Sequence, residues 1–112
     1  MVVIYIATTN SGIAMAKGKP VILSKRTFPT QGAASEFFSN MLHGYKPGDR
    51  VTDADAVDLA SVLDRHPSRD EKVGIGIDHF EVQSADFASQ CFRVVRIDGT
   101  WARFSYKACI AP

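Results

Sequence analysis

Asp98-Gly99 stands between two runs of alternating side chains, and such a pair predicts the type I′ turn of a tight β-hairpin over residues 89–106. A two-residue turn also fixes the register. Ile97 then faces Thr100, Arg96 faces Trp101, Val94 faces Arg103 and Cys91 faces Tyr106. One face would carry Cys91, Val95, Ile97, Ala102, Phe104 and Tyr106, with Arg93 as its only charge, and reads as core. The other would carry Phe92, Val94, Arg96, Trp101, Arg103 and Ser105, and reads as a basic, aromatic surface.

The rest of the chain supplies elements to cover the apolar face. Pro20 to Leu23 and the following Ser24 to Phe28 read as a first strand that leaves the core and turns basic before Pro29 ends it. Thr30 is a fit N-cap for a helix whose Ala34, Phe37, Phe38, Met41 and Leu42 recur on one face, with Gly44 as its stop. A second helix is expected from Asp53 to Arg65, capped by Thr52 or Asp53 and closed by His66-Pro67. Ser68 to Lys72 reads as a polar turn. The strand from Val73 to Val82 changes phase, which calls for a bulge near Asp78-His79, with Gly74 and Gly76 permitting a bend. Residues 84–89 read as a loop.

The order is β-α-α-β-β-β: an α+β fold with two helices on a mainly antiparallel sheet. Residues 20–112 form one domain, and residues 1–19 an extension or an extra N-terminal strand. With 112 residues and 46% hydrophobic content, the chain can bury a core without covalent staples. The apolar run Val2 to Ala7 lacks a basic lead and is far short of the roughly 20 residues that cross a bilayer, so no membrane association and a cytoplasmic location are expected.

Net charge is +1, but it is unevenly spread: +4 over residues 1–30, −6 over 31–88 and +3 over 89–112. If the two terminal segments shared a sheet, their cations would converge into a local positive field. Arg96 and Arg103 would flank an exposed Trp101, offering a plane for base stacking beside cations for phosphates, with Lys25, Arg26, Lys72 and Lys107 at the periphery. A cross-strand cation-π pair of Arg96 with Trp101 is the purely structural alternative. Four engaged phosphates would give a log-log salt slope near about −2.8 on a single strand.

Other chemistry has weaker support. Asp53, Asp55 and Asp58 complement a helix dipole and lack the glycine and distal glutamate of a calcium loop, so no metal site is assigned. Cys91 and Cys109 fall on opposite faces in the expected register and are expected to be reduced. His66, Asp78 and His79 could activate water in a metal-dependent nuclease only if a bulge turned Asp78 and His79 to the same side. No catalytic residue and no cofactor are assigned.

Several segments together, namely Phe37-Phe38, Met41-Leu42, Tyr45 with Gly48, His66-Pro67, Glu71-Lys72-Val73-Gly74 with Gly76-Ile77, Cys91-Phe92, Phe104-Ser105-Tyr106 and Cys109-Ile110, resemble one family. It is the small domain shared by plant Defective Chloroplasts and Leaves proteins and bacterial proteins of unknown function. The resemblance covers residues 20–110, and its most specific element is His-Pro, a short acidic turn, then Lys-Val-Gly-x-Gly-Ile. It implies settings of ribosomal RNA maturation in chloroplasts or nucleoli, and a related domain in the tail of a plant-specific RNA polymerase largest subunit. No catalytic residues carry over; His66, Lys72, Gly74 and Gly76 become candidates for a common surface feature. The expected function is therefore a non-enzymatic module binding RNA or another nucleic acid. A protein-interaction adaptor with a protein partner is the alternative, and a nuclease the third.

Overall fold

The computed structural model describes residues 19–111, so an extra strand at the N-terminus lies outside the described residues. The fold is α+β. Helices α1 (Gln31–His43) and α2 (Asp53–Leu63) begin where the sequence places them, each on a threonine whose side chain accepts from the third residue on: Thr30 from Ala33 and Thr52 from Asp55. Their buried residues, Ala34, Phe38 and Leu42 on α1 with Leu59, Val62 and Leu63 on α2, pack in one core against the sheet.

The first segment departs from expectation. It makes two short strands, β1 (Val21–Ile22) and β2 (Thr27–Phe28), which pair only with each other among the described residues. Leu23 N–H donates to Arg26 O at 2.9 Å and closes the turn, while Val21 and Leu23 are buried. The cations of the two chain segments therefore do not share a sheet. Arg26 instead pairs with Asp58, the buried charge on α2, at 3.0 Å. An uncompensated buried carboxylate would be strongly unfavourable, and this pairing anchors β2 to α2.

A three-stranded antiparallel sheet follows: β3 (Ile77–Ser84), β4 (Gln90–Arg96) and β5 (Trp101–Phe104), in that order. The phase change in β3 is a register shift between Ile77 and His79, as the pattern requires. Residues 68–72, expected as a turn, lie largely within a short helix α3 (Arg69–Val73), held by Arg69 on Asp64 and Asp70 and ended by Gly74 at φ +55°. The 84–89 connection is shorter than expected, a tight turn at Asp86–Ala88.

The hairpin is present, but its register is slipped by one residue. Phe92 faces Phe104, Arg93 faces Arg103, Val94 faces Ala102 and Val95 faces Trp101. Arg96 N–H donates to Thr100 O at 2.7 Å and Gly99 N–H to Arg96 O at 2.9 Å, so the loop has three residues, with Gly99 alone left-handed at φ +88°. Asp98 keeps a negative φ and accepts from Thr100 N–H and its hydroxyl at 3.0 and 2.6 Å. A type I′ turn would need positive φ at both residues; a three-residue loop with its glycine in the left-handed region needs it at one.

The slip inverts the faces of β4 and leaves those of β5 as expected. Phe92 and Val94 point into the core with Phe80, Val82 and Phe104, whereas Cys91, Arg93 and Val95 take the outer side with Trp101 and Arg103. Burial of Phe92 at 1% exposure, worth about 1.5–3 kcal/mol, favours this parity over one that buries Arg93. The chain then leaves the sheet. Tyr106–Ile110 is a fourth helix, α4, rather than a continued strand, and it buries Tyr106, Cys109 and Ile110. Both cysteines are free thiols. No helix among the described residues is long and apolar enough to cross a membrane.

Candidate nucleic-acid interface

Helices cover one face of the three-stranded sheet, and among the described residues no helix covers the other, where Trp101 is half exposed. The breadth of that face is increased by an extended segment before α2. Gly48 N–H donates to Val82 O at 2.7 Å, Val82 N–H to Asp49 O at 3.0 Å and Val51 N–H to Phe80 O at 2.9 Å, which sets Arg50 opposite Glu81. Val51 is buried, so Arg50 has the outward parity. Arg50, Glu81, Arg93 and Arg103 thus stand in one row across four antiparallel segments, spanning roughly 14 Å at the usual strand spacing.

Within this row Glu81 is committed to two neighbours. Its carboxylate accepts from the Arg93 guanidinium, with the Nε contact at 3.0 Å, and from His79 Nε2 at 2.6 Å. His79 Nδ1 lies 2.6 Å from Asp78 Oδ2, a contact that the bulge makes available. Only the imidazolium can donate from both nitrogens, and the hydrogen bonds to Glu81 and Asp78 hold the His79 pKa above its ordinary value against partial burial and the nearby Arg50 charge. The same contacts with His79 and Arg93 hold the Glu81 carboxyl below the usual range.

Arg93, so positioned, lies over the Trp101 ring at 4.7 Å from its centroid. The indole is 50% exposed. Arg103 faces Arg93 directly, and neither Arg103 nor Arg50 has an ion-pair partner among the described residues. Like charges directly opposite on a sheet are destabilising, so the fold retains an unfavourable local arrangement here.

Of the residues singled out from the sequence, Trp101 and Arg103 meet as expected. Lys107 on α4 joins Arg103 at the rim of a cleft beside the sheet. Arg96 does not stand beside Trp101. It has the opposite parity and donates to Lys72 O at 3.0 Å, Glu71 O at 3.1 Å and the Thr100 hydroxyl at 3.0 Å, tying α3 to the hairpin. Its side chain passes so close to Gly74 that a Cβ there would sit 2.9 Å from Arg96 Cδ. Arg26 is engaged by Asp58 and lies 4.6 Å over the Phe37 ring, and Lys25 occupies the adjoining turn of the separate β1–β2 sheet. Lys72 is on α3; partial burial of the His66 ring, and secondarily the Lys72 charge, lower the His66 pKa. His66 Nδ1 accepts from Ser68 N–H at 2.9 Å, and both nitrogens of His79 face carboxylates, so neither arrangement resembles a free general base.

Arg50 and Arg93 were not singled out. Arg93 carried a usable signal: it was the lone charge on a face assigned to the core, where arginine is seldom buried. Arg50 carried none, because its place depends on a pairing between a loop and β3.

The sequence model for "Protein of unknown function (DUF3223)" matches residues 39–110. The chain is 34% identical over 97 residues to DNA-directed RNA polymerase IV subunit 1 of Arabidopsis thaliana, a match covering 84% of this chain and 7% of that subunit. It is 39% identical over 79 residues to Protein DCL, chloroplastic, of Solanum lycopersicum, covering 66% of this chain and 35% of that protein. The chain thus spans well under half the length of either plant relative. The solution NMR structure of an uncharacterized protein from Rhodospirillum rubrum superposes with a TM-score of 0.77 at 43% identity, covering 85% of this chain and 91% of that one. With the family match spanning more than half its length, this chain belongs to the DUF3223 family and is a relative of the plant DCL protein.

Proposed function

We propose that the open sheet face binds single-stranded RNA, with Trp101 as a stacking plane and Arg50, Arg103 and Lys107 as phosphate contacts, while Arg93 stays paired with Glu81. The observation that carries this reading is Arg103, set directly across from Arg93 without an acidic partner among the described residues and beside a half-exposed indole. A ligand phosphate would relieve that repulsion, and base stacking on an aromatic ring contributes about 1–3 kcal/mol per base. A relative named as an RNA polymerase subunit supports a nucleic-acid setting.

The cation count differs from the sequence expectation. Arg26 and Arg96 are held by internal partners, which leaves Arg50, Arg103 and Lys107 as the cations nearest the face with no ion pair among the described residues. Three phosphate contacts predict a log-log salt slope of about −2.1 on a single strand. Titration of a short oligouridine against Trp101 fluorescence over a range of salt tests both parts. A flat salt response, or an unquenched indole at saturation, rejects this mode.

A protein-interaction adaptor is the second reading, supported by the exposed Ile75 and Ile97 at the hairpin end of the sheet, 65% and 59% accessible. A stoichiometric partner that survives nuclease treatment and is lost in Ile97→Asp would favour it.

A further inference from the structure

Beside the sheet, where β4 begins and β5 ends, a cleft of about 500 Å³ opens between the end of α1 and α4. That volume lies within the range of small-ligand sites. Leu42, Phe104 and Tyr106 contribute apolar lining, and Arg103, Lys107 and His43 contribute nitrogen groups. None of the lining residues is acidic. An apolar floor with cations and no carboxylate suits a ligand that is part planar ring and part anion.

The walls are fixed. The Gln90 amide donates to Leu42 O at 2.7 Å and Tyr45 O at 2.8 Å, which satisfies carbonyls at the end of α1 and ties that end to β4. Ser105 accepts from Lys107 N–H at 3.2 Å and starts α4, placing Lys107 near Arg103. His43 Nδ1 donates to Ser39 O at 2.7 Å, which leaves Nε2 without a described partner.

Arg103 belongs to both surfaces. Its backbone position is on the sheet face, two residues from Trp101 and so about 7 Å along the strand, and it is also one of the residues lining the cleft. From this geometry we infer that the cleft is a nucleotide subsite, holding the base of one unit over its apolar floor with its phosphate on Arg103 and Lys107. The inference rests on the RNA-binding reading, because the unit in question continues a strand stacked on Trp101. A free nucleoside monophosphate has the same chemistry and is the other source of such a ligand.

Cys91 lines the cleft and reports on its occupancy. Cys109 is buried, with its thiol pushed up to about 11, and stays silent at mildly alkaline pH. Alkylation by iodoacetamide is followed by intact mass, with Cys91→Ser to assign the site, and Trp101 fluorescence is read in parallel. A short oligouridine at ten times its Kd should slow Cys91 alkylation by about tenfold while quenching Trp101. Lys107→Glu should abolish the protection and retain quenching. If the oligomer quenches Trp101 and leaves Cys91 alkylation unchanged, the subsite is refuted and the sheet-face reading survives. If millimolar uridine 5′-monophosphate protects Cys91 and the oligomer does not, the strand continuation is overturned in favour of a free-nucleotide site. Neither quenching nor protection with either probe overturns both readings.

Discussion

Arg103→Glu should raise stability and weaken RNA binding together, an opposition that few other roles for this residue would produce. Arg103 faces Arg93 across β5 and β4 and has no acidic partner among the described residues. The substitution removes a like-charge cross-strand pair and installs an opposite-charge one, each step being worth a few tenths to about 1 kcal/mol. Because Glu81 already holds Arg93, the gain belongs toward the lower end, near about 0.5–1 kcal/mol. For a domain of this size that corresponds to a melting temperature higher by about 2–8 °C. Losing a charge-assisted contact to phosphate weakens binding by about 1.5–3 kcal/mol, roughly 10- to 150-fold in Kd. The salt slope should become shallower by about 0.7. Thermal unfolding followed by circular dichroism, with fluorescence titration of an oligouridine, gives both numbers on one preparation, and Arg103→Gln should show a smaller thermal gain. A lower melting temperature would mean that Arg103 has a structural partner and that the reasoning from repulsion is mistaken. A higher one with unchanged affinity would remove Arg103 from the interface.

Three further outcomes follow from the packing. Phe92→Ala should cost about 3–5 kcal/mol in urea unfolding and Val95→Ala much less, because the slipped register buries the first at 1% and leaves the second on the outer face; the reverse order would reinstate the two-residue turn. Arg26→Ala strands the Asp58 carboxylate, 3% exposed, and should cost about 3 kcal/mol, the low end for a broken buried pair because the guanidinium itself is partly solvated; replacing Arg26 and Asp58 together with apolar residues should recover much of the loss. His79 has a raised pKa in the folded chain, so its contribution to stability is fully present below the unfolded value near 6.5 and is lost as pH rises through the folded value. His79→Gln should therefore flatten the alkaline side of the stability profile. RNA affinity should fall over the same window as the face loses one positive charge.

Local signals carried the helices well. Thr30 and Thr52 cap α1 and α2 as their residue types imply, and the apolar spacing of α1 puts Ala34, Phe38 and Leu42 in the core. The phase change in β3 announced its bulge, and the alternation of Trp101, Ala102, Arg103 and Phe104 announced which side of β5 faces out. These features depend on a few adjacent residues and on steric rules that hold in any fold.

The parity of β4 was different in kind, since Cys91 and Val95 on one side and Phe92 and Val94 on the other both read as apolar. Only the packing of Phe92 against Phe104, with ring centroids 6.2 Å apart, and of both against the helices selects one side, and with it Arg93 rather than Arg96 as the cation over the indole. Likewise, Arg50 reaches the face through a long-range pairing with Glu81, and Arg26 leaves the basic surface for a carboxylate 32 positions away in the chain. The residues thus set which elements could form and which side chains could contact an anion. The burial of particular side chains decided which of them share a face, because a one-residue slip changes little in local sequence preference and reverses every side chain on a strand.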